Sequence, residues 1–351
     1  MISIPDRILT ILPYIFTGIL SFLLTLYSTP ISIKAALRYK IIDKPDGKLK
    51  SHNGDVALLG GLAVLAGFLL TLSFTYNFTL ETLGILLGGT IIVIVGLLDD
   101  LKALTPKIKF FGQLIAAWVL VRSGIKTDLE FLEVGFYIPQ LLSMFWLLGM
   151  INAFNILDVM DGVAVTTGLS ASIFFCIVAV INGRVTIIFM TIALAGALLG
   201  FLKFNYPPAR IYLGDTGSML IGLVLGSVAL IGSYTKFNRL GFIAPLLILT
   251  IPIFDTIFVM YHRRKKGLSM FFGSPDHFVL RLKKSGFSII KILITINLVS
   301  YILGFTAILL MFSSFSTSLI IFILTIVFIL ISAFFLGRIE VERISSKADF
   351  V

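Results

Sequence analysis

Eleven long apolar runs follow one another along the 351 residues, roughly 8–28, 57–76, 80–98, 108–121, 137–157, 162–181, 185–201, 212–232, 241–261, 289–312 and 316–336. Most have the length a helix needs to cross a hydrocarbon layer about 30 Å thick. Backbone inside lipid must satisfy its own hydrogen bonds, which leaves only helices or closed barrels. Barrel strands alternate apolar and polar residues over about ten positions, whereas these runs are longer and continuously apolar. A soluble fold is excluded too, because a chain 58% hydrophobic keeps too little polar sequence to cover a core of its size. The sequence therefore predicts an all-α, polytopic integral membrane protein. It is read as one transmembrane domain over 1–351 with about 11 transmembrane helices. The 8–28 run lacks a basic leader and a small-residue cleavage site, so it reads as a span and not as a cleaved signal. The single Cys176 excludes an internal disulfide and reads as an inert core or lipid-facing residue.

The net charge of +10 raises the question of a nucleic-acid partner, but the cations are sorted by side. Assigning the connecting segments alternately to two sides puts 22 of the 28 Lys and Arg residues on the side that holds 29–56. By the positive-inside rule that side is cytoplasmic, the N-terminus is external and the C-terminus cytoplasmic. The charge then reports topology, and no nucleic acid is expected. The acids that interrupt the apolar pattern fall on the same side, although they played no part in the assignment. The expected cytoplasmic active-site loops lie near 29–56, 99–109, 158–162, 202–214 and 262–288.

Carboxylates at the edge of a membrane are costly unless they pair, bind a cation or line a wet cavity. Asp99 and Asp100 close the third run, at a helix end whose dipole is already negative. Two adjacent acids there, followed by Lys102, Lys107 and Lys109, have the composition of a metal–diphosphate site. The bland alternative is an interfacial turn with Pro106 opening the next helix. If the pair only decorates a helix end, Asp100→Asn should be neutral or slightly stabilising, and if it holds a metal–phosphate assembly the same change should stabilise the metal-free protein a little while lowering turnover. Asn152, Asn155, Asp158 and Asp161 recur every three residues, yet over that length an ideal helix turns them half a revolution apart. They converge only if the span ends near Asp158, and Asp161-Gly162 supplies a break and restart; the alternative is interhelical amide packing with Asp161 as an N-cap. Asn205 stands before Tyr206-Pro207-Pro208. Asp215 lies between Gly214 and Thr216-Gly217, where backbone amides could cradle a phosphate or Asp215 could cap a helix. In the last large loop, His277 and Arg281 are four residues apart and could face one phosphate. Lys50 and His52 lie in the first basic loop, and Asp255 inside the ninth run either binds a cation or pairs with a neighbouring helix.

In this order the segments resemble the polyprenyl-phosphate N-acetylhexosamine-1-phosphate transferase family. The likeness runs from about Lys50 to Gly286. It rests on Lys50-x-His52 before Gly60-Gly61, Asp99-Asp100 with Lys109-Phe110, the 152–162 segment, Asn205, 214–218, Asp255 and 277–281. The resemblance implies transfer of an amino-sugar phosphate from a UDP-N-acetylhexosamine to a polyprenyl phosphate, with release of UMP. It implies Mg²⁺, with Mn²⁺ as the alternative, at Asp215 helped by Asp99 and Asp100. Asp99 or Asp100 would orient or deprotonate the acceptor phosphate, and His277 would join them in catalysis. Lys50, His52, Lys109, Asn152, Asn155, Asp158, Asp161, Asn205 and Arg281 would bind substrate. The last-loop histidines common in the family are reduced to His277, which points away from muramoyl-pentapeptide nucleotides and toward N-acetylglucosamine. Also implied are a multi-pass place in the inner (plasma) membrane, contact with membrane lipids and, as an option, a homodimer. A cation-coupled transporter remains the alternative class, though such proteins place their acids near the midplane with repeat symmetry.

Overall fold

The structure, a computed structural model, describes residues 4–43, 56–127, 137–268, 275–339 and 341. The bundle opens with α1 (Ile4–Tyr39), α2 (Gly60–Thr75), α3 (Leu80–Lys102), α4 (Pro106–Arg122) and α5 (Ile138–Leu157). It continues through α6 (Val163–Asn182), α7 (Val185–Asn205) and α8 (Gly214–Ile231). The last part comprises α9 (Ala244–Ile248), α10 (Thr250–Lys265), the short α11 (Phe278–Lys284), α12 (Ile289–Phe312) and α13 (Phe315–Gly337). Between α1 and α2, strands β1 (Ile42–Asp43) and β2 (Val56–Ala57) form an antiparallel clip with Ile42 opposite Ala57.

Every predicted run is helical, and the chain is a polytopic membrane protein. By length and composition, eight helices among the described residues can cross a membrane, or nine if α9 and α10 count as one. The other two predicted spans are short: α2 has 16 residues and α4 has 17, a rise of only about 25 Å. The ninth run departs from expectation more sharply. Instead of one helix it bends by 71° at Leu249. Pro252 accounts for the break, since it has no N–H to offer Ile248 and its ring crowds that carbonyl. The predicted 29–56 loop is also shorter than expected, because α1 continues past Ser28 and carries Lys34 and Arg38 on its last turns.

α8 is buried along almost its whole length and packs against α2, α3, α5, α6 and α7. α13 is the opposite case, an apolar helix with Leu330, Phe334 and Phe335 exposed, as a lipid-facing helix requires. α3, α5 and α7 end where α8 begins, so four helix ends meet at one end of the bundle. That junction holds most of the acids singled out in the sequence.

Candidate active site

The junction is drawn together by two glycines. A Cβ on Gly96 would lie 2.5 Å from the Thr216 Cα, so only glycine lets α3 approach the start of α8 this closely. One turn later on the same face, Asp100 reaches that helix start. Gly214 adopts φ +69°, and a Cβ there would meet the Asp100 carboxylate at 2.7 Å. Asp100 consequently accepts the backbone N–H groups of Asp215 at 2.9 Å and Thr216 at 3.2 Å, and the Thr216 hydroxyl at 2.6 Å. The amides expected to cradle a phosphate are thus occupied by a carboxylate from α3. Asp100 caps α8 across the bundle, at the positive end of that dipole. Its charge is favourable there, which reverses the expected sign of Asp100→Asn.

Its neighbour Asp99 turns the other way. It accepts the Leu104 N–H at 2.5 Å and the Lys109 ammonium at 2.9 Å, folding the 103–105 turn back onto its own helix. Lys109 also donates to Asp215 and, at 3.1 Å, to the Asn155 side-chain oxygen. The Asn155 amide donates to Asp215 at 2.9 Å and to Ser218 at 3.1 Å. Asp99, Lys109, Asn155 and Asp215, from α3, α4, α5 and α8, therefore form one connected group.

The α5–α6 joint behaves as its spacing requires: the helix ends at Leu157, and Gly162 restarts the chain at φ +75°. Asn205 brackets the joint, accepting the Gly162 N–H at 3.0 Å and donating to the Ile211 carbonyl at 2.9 Å. Asp161 accepts the Ala209 N–H at 2.9 Å instead of capping α6. Asp158 receives no hydrogen bond among the described residues. Burial, and then the charges of Asp215, Asp100 and Asp161, push its carboxyl well above the usual range. Burial followed by Asp161, Asp43 and Asp158 likewise holds the Tyr212 phenol above its ordinary value.

A cleft of about 1070 Å³ opens here. Asp100, Asn155, Asp158, Asp161, Asn205 and Asp215 line it, as the sequence reading requires. Asp43, Tyr212, Lys283 and Ser288 line it as well and were not foreseen. Tyr212 stands next to Gly214-Asp215 and could have been read from that adjacency. Lys283 carries no signal beyond its charge, which topology already explains. Five carboxylates and one lysine form this wall among the described residues. The surplus negative charge that raises Asp158 suits a divalent cation. Among the described residues no three of His, Cys, Asp or Glu converge into a ready cage.

Asp99 and Lys109 do not line the cleft but are joined to it through Asp215 and Asn155, and three further predicted residues lie elsewhere. Asn152 donates to Gln113 at 2.8 Å and accepts from it at 3.3 Å, so it joins α4 to α5 through paired amides. His277 is buried, with Nδ1 2.7 Å from the equally buried Asp255, whose other oxygen accepts the Phe278 N–H at 3.1 Å. Asp255 thus pairs with a neighbouring segment. Arg281 is also buried, bonded to Asp276 at 2.9 Å and to the Ile339 carbonyl at 2.5 Å, with its plane over Phe258. Being i and i+4, His277 and Arg281 do share a face of the segment, but that face packs inward against α10 and α13. The cleft takes Leu280 and Lys283 from this segment. Lys50 and His52 lie outside the described residues.

Comparison with known proteins bears on the same residues. The family described as glycosyl transferase family 4 matches 82–233, the stretch from α3 to the end of α8. A Bacillus subtilis protein named "Probable undecaprenyl-phosphate N-acetylglucosaminyl 1-phosphate transferase" is 32% identical over 335 residues, 92% of each chain. The decaprenyl-phosphate N-acetylglucosaminephosphotransferase of Mycolicibacterium smegmatis is 28% identical, covering 83% of this chain and 80% of its own. The undecaprenyl-phosphate alpha-N-acetylglucosaminyl 1-phosphate transferase of Escherichia coli K12 is 26% identical, covering 91% of this chain and 88% of its own. With the motifs in register, the acids converging at one cleft and a relative alike along nearly its whole length, the chain belongs to the polyprenyl-phosphate N-acetylhexosamine-1-phosphate transferase family.

Proposed function

We propose that this protein transfers N-acetylglucosamine 1-phosphate from UDP-N-acetylglucosamine to undecaprenyl phosphate, releasing UMP and beginning a lipid-linked cell-envelope glycan. An oxygen of the acceptor phosphate attacks the β-phosphorus of the donor. The bond from that phosphorus to the bridging oxygen breaks, and its electron pair departs with UMP. The observation that carries this reading is the acid-rich cleft at the junction of α3, α5, α7 and α8, where a membrane-borne and a soluble substrate can meet. The chain is a multi-pass protein of the inner (plasma) membrane. Its N-terminus is external and its cleft cytoplasmic, as the sorting of cations supports.

At the cleft, Asp215 would be the first metal ligand, with Asp100 on the same wall and Asp99 joined to Asp215 through Lys109. Mg²⁺, or Mn²⁺ in its place, would supply charge neutralisation to the phosphoryl oxygens. Lys109 holds Asp99 and Asp215 in register and contributes positive charge, while Asp100 fixes the start of α8. Asn155, Asp158, Asp161 and Asn205 shape the nucleotide side. Asp99 orients the acceptor phosphate, which is already largely ionised near neutral pH. His277 and Arg281 position the α11 segment rather than reacting.

The test is UMP release by purified protein in detergent, supplied with undecaprenyl phosphate and a panel of UDP-sugars. Release that requires both substrates and a divalent cation is expected, strongest with UDP-N-acetylglucosamine. Cation uptake into proteoliposomes without UMP release would favour the transporter class. Orientation is tested in a Cys176→Ser background. Asn77→Cys should label in intact cells, and Lys102→Cys only after permeabilisation.

A further inference from the structure

We propose that Gln113 is a positioning residue for the transfer reaction, setting the register of α4 against α5 and α8 so that Lys109 is held between Asp99 and Asp215. The inference rests on the functional reading above, since it takes that group to act on the transferred phosphate. Two rungs of contacts cross the same three helices. In the outer rung, Lys109 of α4 meets Asn155 of α5 and Asp215 of α8. The inner rung lies about one turn deeper on each helix: Gln113 is four residues after Lys109, Met219 four after Asp215, and Asn152 three before Asn155. The Gln113 side-chain oxygen accepts from Asn152 at 2.8 Å. Its amide nitrogen donates to the Asn152 oxygen and to the Met219 sulfur, both at 3.3 Å. None of these three residues lines the cleft, so what they contribute to it is position.

The chemistry of the inner rung suits that task. α4 exposes Phe111, Ile115 and Trp118 along one side, a lipid-facing stripe, and apolar packing is non-directional, so it sets the rotation of such a helix only loosely. Amide hydrogen bonds are directional. Gln113 is 1% exposed, so no water replaces its partners if α4 turns or slides, and the reciprocal pair with Asn152 penalises any other register. Lys109 needs that constraint, because an ammonium on a flexible four-carbon stem is placed only as well as its helix is. A displaced Lys109 would leave Asp99 and Asp215 without the cation that joins them.

The test exchanges the two amides. Gln113→Asn shortens one side chain by a methylene and opens the pair, and adding Asn152→Gln returns the missing length from α5. Two readouts are taken on folded protein in detergent. One is acylation of Lys109 by an amine-reactive ester, mapped by peptide mass spectrometry against the exposed Lys107. The other is steady-state UMP release. In Gln113→Asn, Lys109 should acylate about tenfold faster than in the parent, the factor that losing a charge-assisted contact allows. kcat should fall about ten- to a hundredfold, as for a misplaced reacting group, with KM for both substrates within about threefold. The exchanged pair should restore most of both readouts. Asn152→Ala opens the pair from the other helix and should reproduce both changes, which decides the matter if Gln113→Asn fails to fold. Ser170→Ala removes a hydrogen bond to Asn297 between α6 and α12, controls for lost stability alone, and should leave both readouts at parent values. Parent-like acylation of Lys109 in the opened variants overturns the proposal, as does a kcat defect that the exchanged pair fails to relieve. If the parent releases no UMP, the functional reading fails, and the acylation pattern still decides whether Gln113 places Lys109.

Discussion

Two clusters of buried charge sit side by side in this protein, and they are built on opposite principles. In the brace formed by α10, α11 and α13, every acid among the described residues meets a partner: Asp255 is hydrogen-bonded to His277, and Asp276 pairs with Arg281 and Lys266. In the cleft at the start of α8, five carboxylates share the wall, and Asp158 has no hydrogen-bond donor among the described residues. Balanced charges inside a bundle make a scaffold, since each desolvation cost is offset by a partner. Surplus charge of one sign is tolerated only where a ligand or cation completes it, which makes imbalance a better marker of function than burial.

Substitutions can break this contrast. The largest effect is expected for Asp215→Asn, which should keep the fold and lower UMP release by about 10²-fold or more, the scale of losing one electrostatic contributor. On the brace the consequence moves from turnover to stability. Asp255→Asn disturbs the buried hydrogen bonds that Asp255 makes with His277 and the Phe278 N–H, and a loss of about 1–3 kcal/mol is expected in denaturant or thermal unfolding in detergent. Turnover per folded molecule should then stay near that of the parent. Asp100→Asn divides the two categories, because the residue lines the cleft and also caps α8. It should destabilise by about 1–2 kcal/mol, the cost of a lost cap. A rise in thermal midpoint would restore the reading in which Asp100 merely burdens the end of its own helix.

The smallest effect concerns Asp158 in metal-free protein. Its carboxyl is raised above the ordinary value of 3.8, so the folded state binds that proton more tightly than the unfolded chain does. Stability from this group is therefore present below about pH 4 and declines as pH rises toward the raised value. Asp158→Asn removes the penalty. Its thermal midpoint in EDTA should exceed the parent's at pH 7 and converge with it near pH 4. A constant offset across that range would rule out the electrostatic cause.

Much of the cleft was legible in the sequence, because lone acids at the ends of apolar runs are conspicuous and the three-residue spacing of 152–161 demanded a helix break near Asp158. What stayed hidden depended on partners distant in the chain. Asp100 is 116 positions from Thr216, so nothing local revealed that it fills the anion site that Gly214-Asp215 seemed to offer a phosphate. The i,i+4 spacing of His277 and Arg281 established a shared face, but not that α10 and the end of α13 would bury it. Asn152 looked equivalent to Asn155, yet one helical turn sets it against Gln113 instead of Asp215. The bend at Leu249 was foreshadowed by Pro252 and obscured by the even hydrophobicity around it.

The contrast between surplus and balanced charge is tested most directly by ligand-linked stability, which needs no turnover. Anything that binds only the folded state raises the unfolding midpoint. The midpoint of the purified protein should rise when Mg²⁺ and UDP-N-acetylglucosamine are added together. The same rise is expected in Asp255→Asn, from its lower baseline, and should be absent in Asp215→Asn. A rise that persists in Asp215→Asn and disappears in Asp255→Asn would place ligand binding at the brace and contradict the assignment of the cleft.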